Sequence, residues 1–132
     1  MPRRREPIWV SRLVLDAVHF DLLHAHGGMP GLRDEGALEA ALARPRQRWS
    51  YSRDTDLAAL AAAYGFGLAR SHPYNDGNKR IAFLVMAVFV GLSGYEIEAP
   101  EAEIVGVMTR LAAGHLSEAA LTRWIRAHLT KL

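Results

Sequence analysis

The chain has 132 residues, half of them hydrophobic and 23% charged, with a net charge of +2 and no cysteine. That length suits one domain around one core, and the composition excludes a disordered chain. Its Lys and Arg residues are scattered rather than gathered on one element, which excludes an evident nucleic-acid interface, and the lack of cysteine excludes disulfides and thiolate metal sites.

We therefore expect a single domain over residues 1–132, with the first eight residues, including Arg3, Arg4 and Arg5, flexible at a terminus. No apolar h-region follows those arginines. The longest uncharged apolar run, Ile81 to Leu92, is too short to span a bilayer. Neither export nor membrane association is expected, and the cytoplasm is the expected compartment.

From Ser11 to His26, Leu13, Val14, Ala17, Val18, Phe20 and Leu22 recur at spacings of three and four until Gly27 and Gly28 break the pattern, which predicts a first helix. A Gly/Pro-rich loop over 27–33 follows, and Asp34 can cap a second helix that ends at Arg44, before Pro45. Arg46 to Thr55 is polar with two aromatics and no helical period, so it reads as a surface loop or short hairpin. Asp56 caps a third helix with Leu57, Leu60, Ala61, Tyr64 and Leu68 on one stripe, ending near Ser71 because Pro73 disfavours helix before it.

A fourth helix should begin near Asn78 and end at Gly94. Its run from Ile81 to Leu92 is apolar on every side, as expected of a central, surrounded helix. Tyr95 to Ala99 reads as extended. Pro100 or Glu101 opens a fifth helix to Gly114, and Ser117 caps a sixth through Leu132, with Leu121, Trp124, Ile125 and Leu129 inward. The expected fold is all-α: a compact six-helix bundle around a central apolar helix, with a short flap loop or hairpin.

The segment HPYNDGNKR, His72 to Arg80, leads into the N-terminus of that apolar helix. Helix N-termini carry unpaired N–H groups and partial positive charge, and so attract phosphate. Gly77 lets an anion approach the backbone. Lys79 and Arg80 put two cations where they oppose the helix dipole, so they call for an anion. Asp76 is a candidate Mg²⁺ ligand, since Mg²⁺ takes few carboxylates and completes its shell with water and nucleotide phosphates. His72 is a candidate general base toward a hydroxyl. Taken singly each residue has a plain alternative: a capping His, an Asp-Gly turn, solvated helix cations. The ordered set in nine residues favours function. His24 and His26 diverge by about 200° on a helix and read as surface residues. His19, His115 and His128 show no partner in the sequence and receive no role.

HPYNDGNKR resembles the Fic-family signature at His72, Tyr74, Asp76, Gly77, Asn78, Lys79 and Arg80. GGMPGLRDEGALEAALARP before it and FVGLSGYEI after it resemble the death-on-curing, or Doc, branch, and the likeness runs from about Ser11 to His128. The resemblance implies a toxin of a toxin–antitoxin pair in which His72 acts as base, Asp76 holds Mg²⁺ on ATP, and Gly77, Asn78, Lys79 and Arg80 bind phosphate. Tyr74 matches an aromatic that anchors the loop in the core.

In the larger Fic branch, Gly follows the Asn and a second Arg lies three residues beyond the first, and AMP is transferred. This chain has Lys79 and Phe83 at those places. Lys79 resembles the Doc-like members, which bind ATP in the reversed sense and act as protein kinases on a threonine of elongation factor Tu, stopping translation. Gly77 departs from the Ala of the Doc prototype. Phosphoryl transfer to a protein hydroxyl is the expected reaction, with catalytic residues His72, Asp76, Lys79 and Arg80. AMP transfer is the alternative, and a non-catalytic nucleotide-binding module is the second. The resemblance also implies target docking by strand addition on a flap, matched to Arg46–Thr55 with Trp49 and Tyr51 as grips, although a Trp there can equally pack onto the core. No Ser or Thr four residues before a Glu marks an inhibitory helix, so restraint is expected from a Phd-like antitoxin whose disordered tail folds on the toxin.

Overall fold

The computed structural model describes residues 5–132; the rest of the predicted flexible terminus, residues 1–4, lies outside the described residues. Six helices follow in chain order: α1 (Arg12–His26), α2 (Glu35–Tyr51), α3 (Leu57–Ser71), α4 (Asn78–Leu92), α5 (Glu101–Ala112) and α6 (Glu118–His128). Strand β1 (Tyr95–Ile97) pairs antiparallel with β2 (Leu129–Lys131), Tyr95 opposite Lys131 and Ile97 opposite Leu129. The fold is the expected all-α bundle, with one small ribbon added. The sixth helix thus stops at His128 instead of Leu132, because Leu129 to Lys131 complete the edge that β1 would otherwise leave open.

Four helices begin as their capping residues dictate: the side chains of Ser11, Asp34, Asp56 and Ser117 accept from Val14, Ala37, Ala59 and Ala120 N–H. The most enclosed helix is α3 and not α4. Ala58 through Gly65 are all buried, and α3 packs against α2, α4, α5 and α6. The reason is size. Small residues let four neighbours close on α3, and a Cβ on Gly65 would collide with Met86 of α4. On α4 the buried positions are Ile81, Ala82, Val85, Met86, Phe89 and Val90, while Gly91 and Leu92 are exposed.

The first helix buries Leu22 and part of Val18 as expected, but the rest of its inward face is different. Leu15, His19 and Leu22 point inward, whereas Leu13 is 80% and Phe20 70% exposed.

The segment read as a flap, Arg46–Thr55, is helical as far as Tyr51. Pro45 removes one helical bond and crowds the preceding turn, at a cost of about 3 kcal/mol. Burial offsets it, since Leu38, Ala41, Pro45 and Trp49 recur at spacings of three, four and four along one inward stripe. Trp49 meets Trp9 edge-on at 6.4 Å, and Trp9 stacks on Phe89 at 6.0 Å. Arg44 and Arg48 on the same helix both hold Glu118 of α6. The Trp49 side chain is therefore a core contact that ties the N-terminal segment down.

Candidate active site

The loop from His72 to Gly77 joins the two inner helices, and its shape comes from the segment between α1 and α2. His72 ends α3 at φ 47° and ψ 59°, the sole non-glycine left-handed residue among the described residues. Arg33 holds it there: Nε donates to the His72 carbonyl at 2.7 Å and Nη2 to the Ser71 carbonyl at 2.6 Å. The Arg33 and Asp34 N–H groups both donate to the Pro73 carbonyl, at 2.8 and 3.0 Å. Asn75 donates its N–H to the Gly31 carbonyl and its amide to the Pro30 carbonyl. Leu32 and Tyr74 thus face each other in an antiparallel bridge.

Tyr74 points into the protein, as the resemblance implied for the aromatic anchor. It is 3% exposed, stacks on His19 at 3.6 Å and donates its hydroxyl to Asp16 at 2.8 Å. Burial first, and Asp16 accepting its proton second, push the phenol well above its ordinary range. Asp16 in turn pairs with Arg12, which also reaches Glu35 and Glu39 of α2. Asn78 closes the loop from the other side: its Oδ1 accepts from Tyr74 N–H at 3.0 Å and its Nδ2 donates to the Tyr74 carbonyl at 2.9 Å. Asn78 therefore serves the loop's shape, with its amide turned to Tyr74.

The remaining members of the motif face outward. Asp76 Oδ2 accepts from Met29 N–H at 2.8 Å, and its other oxygen has no protein partner among the described residues. Gly77 opens α4 at φ 78°, in the left-handed region, with no side chain capping the helix. That first turn holds no acidic residue, and Lys79 and Arg80 are exposed with no ion pair among the described residues. Two cavities meet here. One, of about 430 Å³, is lined by His72, Asp76 and Lys79 and closed by Thr109 and Ala112 of α5 and by Ala113 just after it. The other, of about 630 Å³, adds Arg80 to an apolar wall of Leu22, Phe83, Leu84, Ile104 and Met108, and the two share Gly77, Asn78, Lys79 and Thr109.

The geometry brings His72, Asp76, Gly77, Asn78 and Lys79 to one cavity and Arg80 to its neighbour, but it leaves Trp49 and Tyr51 far away. Asp34, which caps α2, bonds to Pro73, and the 17 residues of α2 carry the chain roughly 24 Å before Tyr51. Tyr51 is 90% exposed at that far end. The residues that the motif does not reveal are Met29 and Arg33, which hold Asp76 and His72, Thr109 across the cavity, and His19 beneath the loop. His19 and His128 were given no role, yet both have partners. His128 Nδ1 lies 2.8 Å from the Trp124 carbonyl and its Nε2 3.2 Å from Glu103. No helix among the described residues is long and apolar enough to cross a membrane.

Comparison with known proteins agrees with the motif. A model of the Fic/DOC family matches residues 9–90. "Protein kinase doc" of Escherichia phage P1 is 32% identical over 118 residues, spanning 89% of this chain and 92% of that protein. "Toxin Doc" of Mycolicibacterium smegmatis is 42% identical over 77 residues, 57% of this chain and 58% of its own.

Proposed function

The chain belongs to the Fic/Doc family, and from that premise we propose that it is a Doc-like toxin that transfers the γ-phosphate of ATP to a Ser or Thr hydroxyl of a translation factor, elongation factor Tu foremost. The observation that carries this reading is an uncapped helix N-terminus, with two cations that have no ion pair among the described residues, opening onto the cavity that His72 lines. The name of the phage P1 relative supports a kinase.

The residues present fit a nucleotide with Mg²⁺. The Asp76 carboxylate is exposed, keeps one oxygen without a partner among the described residues and sits beside Gly77, which presents backbone to the cavity. When bound, Mg²⁺ would neutralise charge on the phosphates. Lys79 and Arg80 add positive charge in the same place, and the α4 N–H groups accept an anion without reorganising. His72 takes the proton of the target hydroxyl as that oxygen bonds to the γ-phosphorus and the bond to the ADP oxygen breaks. The imidazole suits this role, because it makes no hydrogen bond among the described residues while Arg33 fixes its backbone.

The target segment docks on the Gly31–Arg33 edge instead of on Arg46–Thr55. Leu32 faces Tyr74 in a bridge whose bonds are made by Gly31 and Arg33, so the N–H and C=O of Leu32 itself point to the open side, beside His72. An antitoxin with a disordered tail restrains the toxin in the cytoplasm; co-expression with the neighbouring reading frame should relieve growth arrest.

ATP labelled separately at the α and γ positions, incubated with elongation factor Tu, tests the reaction. Label is expected on protein from the γ position. Label from the α position would establish AMP transfer and overturn the kinase reading.

A further inference from the structure

We propose that His19 is a positioning residue that locks the Asp76–Gly77 peptide in the orientation that accepts an anion. The proposal rests on the reading of the α4 N-terminus as a phosphate cradle. His19 lies on the inward face of α1 between Leu15 and Leu22 and is 5% exposed, and the transfer chemistry gives it no task. Its Nε2 is 2.9 Å from the Asp76 carbonyl oxygen. A carbonyl oxygen only accepts, so Nε2 carries the proton.

The consequence follows from peptide geometry. The 76–77 bond is trans, and in a planar trans peptide C=O and N–H point in opposite directions. With the Asp76 carbonyl drawn onto His19, the Gly77 N–H is turned away from it, and Gly77 borders both cavities. A half-turn of this peptide would present a carbonyl oxygen to the phosphate in place of an N–H. Gly77 itself cannot prevent that turn, because glycine takes positive and negative φ with similar ease. The restraint has to come from α1. A Cβ on Gly77 would lie 3.2 Å from Leu22 Cδ2 and 3.6 Å from His19 Nε2, which shows how closely α1 backs the loop.

His19 is in turn held in place. Its ring lies parallel to Tyr74 within 12°, Tyr74 donates to Asp16, and Asp16 pairs with Arg12. Arg12, Asp16, Tyr74 and His19 thus form one chain of contacts that ends on the Asp76 carbonyl.

The test separates the donor from the packing. His19→Phe keeps an aromatic ring against Tyr74 and removes the donor, while His19→Gln keeps a donor and removes the ring. Calorimetry with ADP plus Mg²⁺, and with inorganic phosphate alone, gives the affinities; the Gly77 amide resonance reports the peptide during each titration. We expect His19→Phe to bind both probes at least tenfold more weakly than wild type, with the Gly77 response lost, and His19→Gln to stay within about threefold of wild type. Equal affinity and an equal Gly77 response in His19→Phe would overturn the proposal, as would His19→Gln binding as weakly as His19→Phe. Failure of the wild-type protein to bind either probe would overturn the reading of the cradle itself, and His19 with it. The wild-type chain also tests the idea without any variant: the ring nitrogen shifts of His19 must show the proton on Nε2, and a proton on Nδ1 alone refutes it.

Discussion

Helix α3 enters the core through one polar turn and leaves it through another, and the two treat charge differently. At the entrance, Asp56 caps Ala59 and holds Arg126 at 2.8 Å. At the exit, Arg33 is used up on two carbonyls, while Lys79 and Arg80 stand at an uncapped helix start with no ion pair among the described residues. One end settles its charges with its own side chains. The other leaves them without an ion pair among the described residues, which is the difference expected between a structural turn and the phosphate site proposed above.

The largest effect should come from the exit. His72→Ala is expected to lower phosphoryl transfer by about 10²- to 10⁴-fold, measured with γ-labelled ATP. Thermal melting should move little, since the exposed imidazole makes no hydrogen bond among the described residues. A variant that still transfers phosphate at the wild-type rate would remove His72 from the chemistry.

At the entrance the expected effects fall on stability. Trp49→Ala leaves a hole against Trp9 and should cost about 2–3 kcal/mol, below the range for a fully buried Trp because the side chain is half-buried. The folded fraction should bind nucleotide as wild type does. Between these two in kind lies Gly77→Ala, which forces a side chain into φ 78° and toward Leu22. It should cost about 1–2 kcal/mol and weaken phosphate binding as well, read by denaturation and calorimetry on the same protein.

The contrast between the two turns also explains what could be read in the chain before its folding was known. His72 to Arg80 is contiguous, so it was visible as a motif, and the caps Ser11, Asp34, Asp56 and Ser117 announced four helix starts. What depends on distant partners was hidden. Nothing local marks Arg33 as the brace of His72, or Thr109 as the far wall of the cavity. His19 left one faint trace, its position between Leu15 and Leu22 at helical spacing, obscured by the more hydrophobic but exposed Leu13 and Phe20. Pro45 was read as a stop because the local rule says so, and the stripe Leu38, Ala41, Pro45, Trp49 overrode it by burial. Polarity and aromatic content then made Arg46–Thr55 resemble a flap, although it is helical as far as Tyr51 and lies at the end of α3 away from His72.

Target docking offers a direct test of which end the substrate meets. On adding elongation factor Tu and a non-hydrolysable ATP analogue, the Leu32 amide should gain protection from hydrogen exchange, while amides from Tyr51 to Asp54 stay unchanged. Tyr51→Ala should leave KM for the protein target within about twofold. Protection at 51–54 with a raised KM would return docking to the far end and break the contrast.

The smallest effect is the most specific to the entrance. The Asp56 carboxyl is held below its ordinary range: burial opposes ionisation, but Arg126 and the Ala59 N–H outweigh it. A folded pKa below the unfolded one means that the unfolded chain binds the proton more readily, so this stabilisation is complete at neutral pH and fades as pH falls through the acid range, below about 4. Asp56→Asn keeps an oxygen to cap Ala59 and removes only the charge. Because the Asp56 side chain is 46% exposed, solvent screening holds the difference to under about 1 kcal/mol at pH 7. The two proteins should then converge in stability toward pH 2.5, since contributions common to both, such as the Arg12 contacts with Glu35 and Glu39, cancel. A gap that persists at that pH would show that the oxygen of Asp56, and not its ionisation, secures this end of α3, leaving the pairing of charges there without energetic weight.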